Sequence, residues 1–326
     1  MARIAVLGAG AWGTAIACAL APRHSVALWA RRAEHARAMA AAGRNERYLP
    51  GIDIPSAVHL TAELADALGQ AELLLLATPV AGLRELLARI PAAHALVWLC
   101  KGFEEGSGLL PHQIVEQVQG AGARCGALSG PSFAQEVARG LPCALTLASR
   151  DEQFAREAAA LLHGGRLRVY YSTDLVGVEI GGAVKNVMAI AAGISDGLGL
   201  GLNARAALVT RSLAEIGRLS AALGGRRETV MGLAGAGDLM LTTTGDLSRN
   251  RRVGLALARG QPLAGILAEL GHVAEGVRSA AEVARLARSL EVDMPVTDAV
   301  QAVLEGALAP ADAVERLLSR DPKPER

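Results

Sequence analysis

A lysine in an apolar setting is the first chemical signal. Residues 174–193, DLVGVEIGGAVKNVMAIAAG, read as a buried helix that carries a single lysine, Lys185. At helical spacing Val178, Gly181, Gly182, Lys185, Met188, Ala189 and Ala192 share one face, so the ammonium is set among small and apolar neighbours. Glycine weakens a helix by about 1 kcal/mol relative to alanine. Gly177, Gly181, Gly182 and Gly193 together therefore imply that something approaches this backbone closely, and a substrate would be one such thing. Desolvation disfavours the charged form, which would make an enclosed amine a proton donor or acceptor near neutral pH. A side chain that snorkels to water, or pairs with Glu179 or Asp174, would look the same in sequence.

Phosphate-binding chemistry is written at the other end of the chain. The aliphatic run Arg3–Leu7 meets Gly8-Ala9-Gly10-Ala11-Trp12-Gly13 and then a helical pattern from Thr14 to Leu20. Gly8 allows a tight turn, Gly10 lets a pyrophosphate approach the backbone, and Gly13 lets helix and strand pack closely, with the helix N-terminus supplying N–H groups. The next strand, Ser25–Trp29, ends in Ala30-Arg31-Arg32 where NAD enzymes usually place an acid. Arg31 and Arg32 offer guanidinium forks to a 2′-phosphate, which favours NADPH while leaving NADH open.

Further candidates stand at the ends of later strands. The runs 72–77 (ELLLLA) and 95–100 (ALVWLC) stop at Thr78-Pro79 and at Lys101-Gly102, so Lys101 is placed to meet a phosphate or a substrate oxygen. The run 125–128 leads into Ser129-Gly130-Pro131-Ser132-Phe133-Ala134, either a helix start suited to an oxyanion or an ordinary turn capped by Ser132. Gly232-Leu233-Ala234-Gly235-Ala236-Gly237 imitates a phosphate loop, but no strand precedes it in a βαβ setting. Its expected role is close packing and the presentation of Asp238, whose carboxylate would accept from a hydroxyl or hold Lys185. Ser248-Arg249-Asn250-Arg251-Arg252, opening a helix through Ala258, would receive a phosphate, unless it is a solvated charge run.

Two domains must position these groups, because 326 residues exceed one ordinary core. Residues 1–175 alternate strand and helix patterns, an α/β Rossmann-like domain with a mostly parallel sheet. Residues 176–326 read as an all-α domain, with helices expected at 204–223, around 231–241, and at 252–259, 263–269, 280–290, 297–304 and 311–319, before a disordered tail at 321–326. Hydrophobic residues make up 51% against 3% aromatic, so the cores are built from Ala, Leu and Val. Thirty-three basic against 32 acidic side chains give no global electrostatic argument for nucleic acid or an anionic membrane. Cys18, Cys100, Cys125 and Cys143 lack metal or redox spacing, and no metal site is expected. The N-terminus opens on a strand pattern rather than a signal peptide, and no uninterrupted apolar run reaches about 18 residues, so a cytoplasmic protein is expected. The apolar content of the helical half suggests a homodimer.

Taken in order, these segments resemble the NAD(P)-dependent glycerol-3-phosphate dehydrogenases of bacterial type. The resemblance rests on GAGAWGTA at Gly8, YLPGI at Tyr48, KGFE at Lys101, LSGPSFAQEVARGLP at Leu128, the run from Gly177 through Ile216, GLAGAGDLMLTTTGDLSRNRRVG at Gly232, and VAEGVRSA at Val273. It implies reduction of dihydroxyacetone phosphate, a triose phosphate, by NADPH or NADH to glycerol 3-phosphate for phospholipid synthesis. It also implies that Lys185 is the proton donor or acceptor, with Lys101, Gly130, Ser132, Asn186, Asp238, Thr242, Ser248, Arg249 and Asn250 around the substrate. Cofactor contacts implied in the same way are Ala11, Trp12, Arg31 or Arg32, Lys101, Ala134, Arg249, Val273 and Glu275. Ala11 departs from the serine common in the family, so a backbone contact there survives and a hydroxyl contact does not. A reductase of 3-hydroxyacid or ketopantoate type would share the nucleotide domain, the helical domain and the buried lysine but has little use for Arg249 and Asn250, whereas a non-catalytic NADP(H) sensor would leave Lys101, Lys185 and Asp238 unexplained.

Overall fold

The computed structural model describes residues 1–270 and 274–322. Val273 and the tail from 323 lie outside the described residues. The chain divides into two compact units, one of Met1–Lys101 with Leu110–Leu175 and one of Gly102–Leu109 with Val176–Arg326. Residues 102–109 thus group with the second unit, a correction to the continuous 1–175 domain expected from sequence.

Unit 1 is built on an eight-stranded sheet of β1 (Arg3–Leu7), β2 (Ser25–Trp29), β5 (Val58–Thr61), β6 (Leu73–Leu76), β7 (Leu96–Trp98), β8 (Cys125–Ser129), β9 (Cys143–Ala148) and β10 (Leu167–Ser172). Their order is β10-β9-β8-β7-β6-β1-β2-β5. Every neighbouring pair is parallel except β8 with β9. Parallel strands are covered on both faces and read as continuous aliphatic runs, and β6, all leucine and all buried, is the clearest case. The crossovers include α1 (Ala11–Leu20), α2 (Ala33–Ala42), α3 (Leu64–Leu68), α4 (Leu83–Leu87), α5 (Pro111–Gln119), α6 (Ala134–Ala138) and α7 (Glu152–Leu162). The chain winds outward from β1 to one edge and then returns to β6 on the other side of β1, so the sheet's switch point lies between β1 and β6. A short hairpin, β3 (Arg44–Asn45) with β4 (Leu49–Asp53), stands apart from the main sheet.

Apart from the loop 102–109, the regular structure of unit 2 among its described residues is helical: α8 (Leu175–Gly197), α9 (Gly201–Ala222), α10 (Arg227–Val230), a π-helical turn at Leu233–Gly237, α11 (Asp238–Thr244), α12 (Arg249–Ala258), α13 (Leu263–Leu270), α14 (Glu275–Ser289), α15 (Pro295–Leu304) and α16 (Pro310–Leu318). α14 starts five residues earlier than the expected 280, which brings Glu275 into its first turn. α8 is long and apolar enough to cross a membrane, yet 89% of its most apolar stretch is buried inside the protein. Two of its glycines are approached by the protein's own backbone. A β-carbon on Gly181 would lie 2.7 Å from the Ala234 carbonyl, and one on Gly193 would run into the Arg251 carbonyl. On α9 the buried Glu215 accepts hydrogen bonds from Val296 N (2.6 Å), Thr297 N (3.2 Å) and Thr297 Oγ1 (3.1 Å), closing the N-terminus of α15.

Candidate active site

Unit 1 carries a turn shaped for a pyrophosphate. Gly8 adopts φ +126°, and a β-carbon there would lie 2.7 Å from the Ala77 carbonyl beyond β6, so the turn admits only glycine. Gly10 is the N-cap of α1; a methyl placed there would meet no protein atom within 4 Å. α1 begins at Ala11 and not at Thr14, with neither a side-chain cap nor an acidic residue in its first turn. Its leading N–H groups and positive dipole end are therefore left for an anion, which is the fit a dinucleotide pyrophosphate requires. Ala11 and Trp12 are half-buried and pack on the core beside Ala134, the first residue of α6.

Three residues that the sequence did not single out brace this turn. Fully buried Asn45 donates from Nδ2 to the Ala9 carbonyl (3.0 Å) and to Thr14 Oγ1 (2.7 Å), and His35 Nε2 lies 3.3 Å from the same carbonyl. Tyr48, noted only as part of a motif, accepts from Arg32 Nη2 at 3.3 Å, meets His35 edge-on at 5.2 Å between ring centroids, and lies under the Arg47 guanidinium. Arg31 and Arg32 are both exposed. Arg32, Glu34, His35, Arg44, Glu46 and Arg47 line a cleft of about 420 Å³, a recess of mixed charge one element away from the glycine turn. The only sequence cue to these residues was a polar interruption, RNERY, between helix and strand.

At the ends of β7 and β8, Lys101 Nζ donates to the Gly130 carbonyl at 3.4 Å and Ser132 Oγ to the same carbonyl at 3.0 Å. Lys101, Gly130 and Ser132 thus converge in unit 1. Ser132 is not a helix cap; that position is Phe133, whose helix has five residues. So short a helix adds little dipole, which weighs against the oxyanion reading of that helix start.

Unit 2 encloses the amine. Lys185 is 8% exposed and Asp238 1%. Lys185 Nζ donates to Asp238 Oδ1 at 2.5 Å and to Thr242 Oγ1 at 3.1 Å, while the Thr242 hydroxyl donates to the Asp238 carbonyl at 2.6 Å. Asp238 opens α11 immediately after the π-helical turn and Thr242 follows one turn later, so a single short helix supplies both acceptors.

Beside the amine runs a chain of amides. Asn250 Nδ2 donates to Asn186 Oδ1 (3.0 Å), Asn186 Nδ2 donates to Glu275 Oε2 (3.2 Å), and Gly276 N donates to Asn250 Oδ1 (3.0 Å). The Asn250 side chain therefore ties α12 to α8 and α14. Ser248 is buried and caps α12, its Oγ accepting from Arg251 N. Arg249 is exposed in the first turn of that helix. Arg251 is committed to Asp196 and Asp246, and so is not a free member of the arginine cluster.

Comparisons with known proteins agree over almost the whole chain. Residues 3–155 match the family model described as NAD-dependent glycerol-3-phosphate dehydrogenase N-terminus, and residues 174–315 match the corresponding C-terminus model. The glycerol-3-phosphate dehydrogenase [NAD(P)+] of Aromatoleum aromaticum is 59% identical over 99% of this chain and 100% of its own length. That of Methylibium petroleiphilum is 60% identical, covering 99% and 98%. A solved glycerol-3-phosphate dehydrogenase from Coxiella burnetii superposes with a TM-score of 0.92 at 42% identity, covering 98% of this chain and 99% of that one.

Proposed function

The chain belongs to the NAD-dependent glycerol-3-phosphate dehydrogenase family, and from that premise we propose how its residues divide the work. It is an NAD(P)-dependent oxidoreductase that reduces dihydroxyacetone phosphate to glycerol 3-phosphate. Reduced nicotinamide, when bound, supplies the hydride to the ketone carbon. Gly8, Gly10 and Gly13 with the first turn of α1 hold the pyrophosphate, and Arg31 and Arg32 take the 2′-phosphate of NADPH. Ala11, Trp12, Lys101, Ala134, Arg249 and Glu275 make the remaining cofactor contacts.

Lys185 carries the proton step. As charge grows on the carbonyl oxygen, its ammonium stabilises that oxygen and then protonates it, with Lys101 as a second positive charge. Asp238 and Thr242 hold the ammonium in one orientation, which limits its reorganisation during the reaction. Arg249 and the leading N–H groups of α12 take the substrate phosphate, while Gly130, Ser132, Asn186, Ser248 and Asn250 fix the surrounding backbone and amides. The observation carrying this reading is a buried lysine hydrogen-bonded to a buried aspartate that the glycine-rich π-helical turn presents.

The test is Lys185→Met. It is expected to bind NADPH with unchanged affinity by fluorescence titration and to lose dihydroxyacetone phosphate turnover by about a thousandfold or more, the scale of a lost proton donor combined with lost charge stabilisation. A turnover number within about threefold of the parent removes Lys185 from the mechanism. Dihydroxyacetone without its phosphate serves as the companion substrate. Equal efficiency on both would favour a reductase of unphosphorylated ketones.

A further inference from the structure

α8 carries the amine, and α12 carries at its N-terminus the group proposed above to take the substrate phosphate. A substrate held at both ends requires a fixed spacing between these two helices, because a misplacement of about 1 Å can cost about a hundredfold in rate. The two are joined at three levels. Asn186 and Asn250 are hydrogen-bonded at 3.0 Å near the amine. Further along, the backbones touch: a β-carbon on Gly193 would meet the Arg251 carbonyl, and one on Gly254 would meet the Ile190 carbonyl. At the far end Asp196, near the C-terminus of α8, grips Arg251 from the first turn of α12.

The geometry of this last join is unusually complete. Arg251 Nε and Nη2 both lie 2.8 Å from Asp196 Oδ2, and the other carboxylate oxygen, Oδ1, accepts from Arg205 Nε (2.7 Å) and Nη2 (2.6 Å) on α9. The third Arg251 nitrogen, Nη1, lies 3.0 Å from the exposed Asp246, just before the α12 cap. Side-chain exposures of 7% for Asp196 and 12% for Arg251 mean that the pair is largely desolvated, where two charge-assisted hydrogen bonds converging on one carboxylate oxygen are strong and directional.

We propose that Asp196 and Arg251 are positioning residues for the reaction: their ion pair sets the height of the α12 N-terminus relative to Lys185, and so the distance between the phosphate-binding end and the proton-donating end of the site. Neither touches substrate. The inference rests on the assignment of the α12 N-terminus to the substrate phosphate. It gives Arg251, the second arginine of the run at 249–252, a role distinct from that of Arg249.

The experiment compares Asp196→Asn, Arg251→Lys and Arg251→Met with the parent, reading kcat and KM for dihydroxyacetone phosphate and for dihydroxyacetone, and the dissociation constant of NADPH. All three variants are expected to lose about tenfold to a hundredfold in kcat/KM for the phosphorylated substrate. They should lose less than about threefold for dihydroxyacetone and bind NADPH as the parent does, with Arg251→Lys least impaired because it keeps the charge without the fork. If both substrates lose efficiency in proportion, the pair is a general structural element and the proposal is overturned. If Arg251→Met fails on the phosphorylated substrate while Asp196→Asn does not, Arg251 is itself a phosphate ligand and the proposal is likewise overturned. Should Arg251→Met not fold, Arg251→Lys and Asp196→Asn decide by the same ratio. A parent enzyme equally efficient on both substrates would overturn the phosphate assignment, and the proposal with it.

Discussion

Removing one partner of the Lys185–Asp238 pair should damage unit 2 far more than removing both. At 2.5 Å the attraction between the two charges is about 7 kcal/mol at an effective dielectric of about 20. Against it stands a desolvation penalty of several kcal/mol for each ion, so the intact pair contributes little net stability. A single replacement leaves the other charge uncompensated in a region where the Lys185 and Asp238 side chains are only 10% and 1% exposed, and breaking such a pair costs about 3–5 kcal/mol. Lys185→Met and Asp238→Asn should each lose that amount, and the double variant should recover most of it, giving a coupling energy of at least about 3 kcal/mol. The assay is urea unfolding of the four proteins at neutral pH, followed by far-UV circular dichroism, to which the helical unit 2 contributes most. Trp12, Trp29 and Trp98 all lie in unit 1, so tryptophan fluorescence follows that unit in the same samples. Additive losses, with a coupling energy under about 0.5 kcal/mol, would refute the reasoning, since they would mean that the ammonium does not depend on that carboxylate.

Three further outcomes follow from the same structure. Exchanging Arg31 and Arg32 together for alanine should lower the ratio of catalytic efficiencies with NADPH and NADH by about ten- to a hundredfold, the scale of one lost charge-assisted contact, and an unchanged ratio removes both from cofactor selection. Asn45→Ala should cost about 1–2 kcal/mol in stability and raise KM for the cofactor several-fold at unchanged KM for dihydroxyacetone phosphate, because the Ala9 carbonyl loses its donor inside the glycine turn; equal rises in both constants would argue against a local effect. Burial pushes the Glu215 carboxyl up to about 7 against the opposing donors Val296 and Thr297. A folded value above the ordinary one means that its contribution to stability is full below the ordinary value of 4.5 and is lost as pH rises through about 7. The parent's urea midpoint should therefore fall more between about pH 5 and pH 8 than that of Glu215→Gln, and parallel profiles would exclude Glu215 as the source.

What the sequence made legible was what has a local mechanism. The glycine turn after β1 is read directly because each glycine answers a steric demand within a few residues, although the start of α1 at Ala11 brings the turn and helix closer than the apolar pattern suggested. Lys185 stood out because a charge in an apolar helix has no local explanation. Its partner lies 53 residues away, and sequence could offer Asp238 only as one option among several. The glycines of α8 correctly signalled close approach but not by what, since a carbonyl from Ala234 or Arg251 and a ligand impose the same demand. The Arg44–Asp53 hairpin escaped notice because strands of two and five residues carry too little periodicity, and Asn45 acts through contacts with residues 31 and 36 positions earlier. The cluster at 248–252 looked uniform in sequence. Only the positions of Asp196 and Asp246 separate Arg251 from Arg249.

The excursion of residues 102–109 bears on how the protein can be divided. Gly106 N donates to Glu282 Oε1 on α14 at 3.1 Å, and Arg285 of the same helix packs over Gly108, so this segment finds its partners in the helical unit although both its flanks belong to unit 1. The polypeptide consequently crosses between the units three times and not once. Cutting at residue 175 would not yield two self-sufficient pieces: the first would carry an orphaned loop immediately after Lys101, and in the second Glu282 would keep Arg285 but lose the Gly106 donor. A chimera that exchanges helical halves between relatives must graft residues 102–109 along with them, or the transplanted helix will face a loop selected for a different surface.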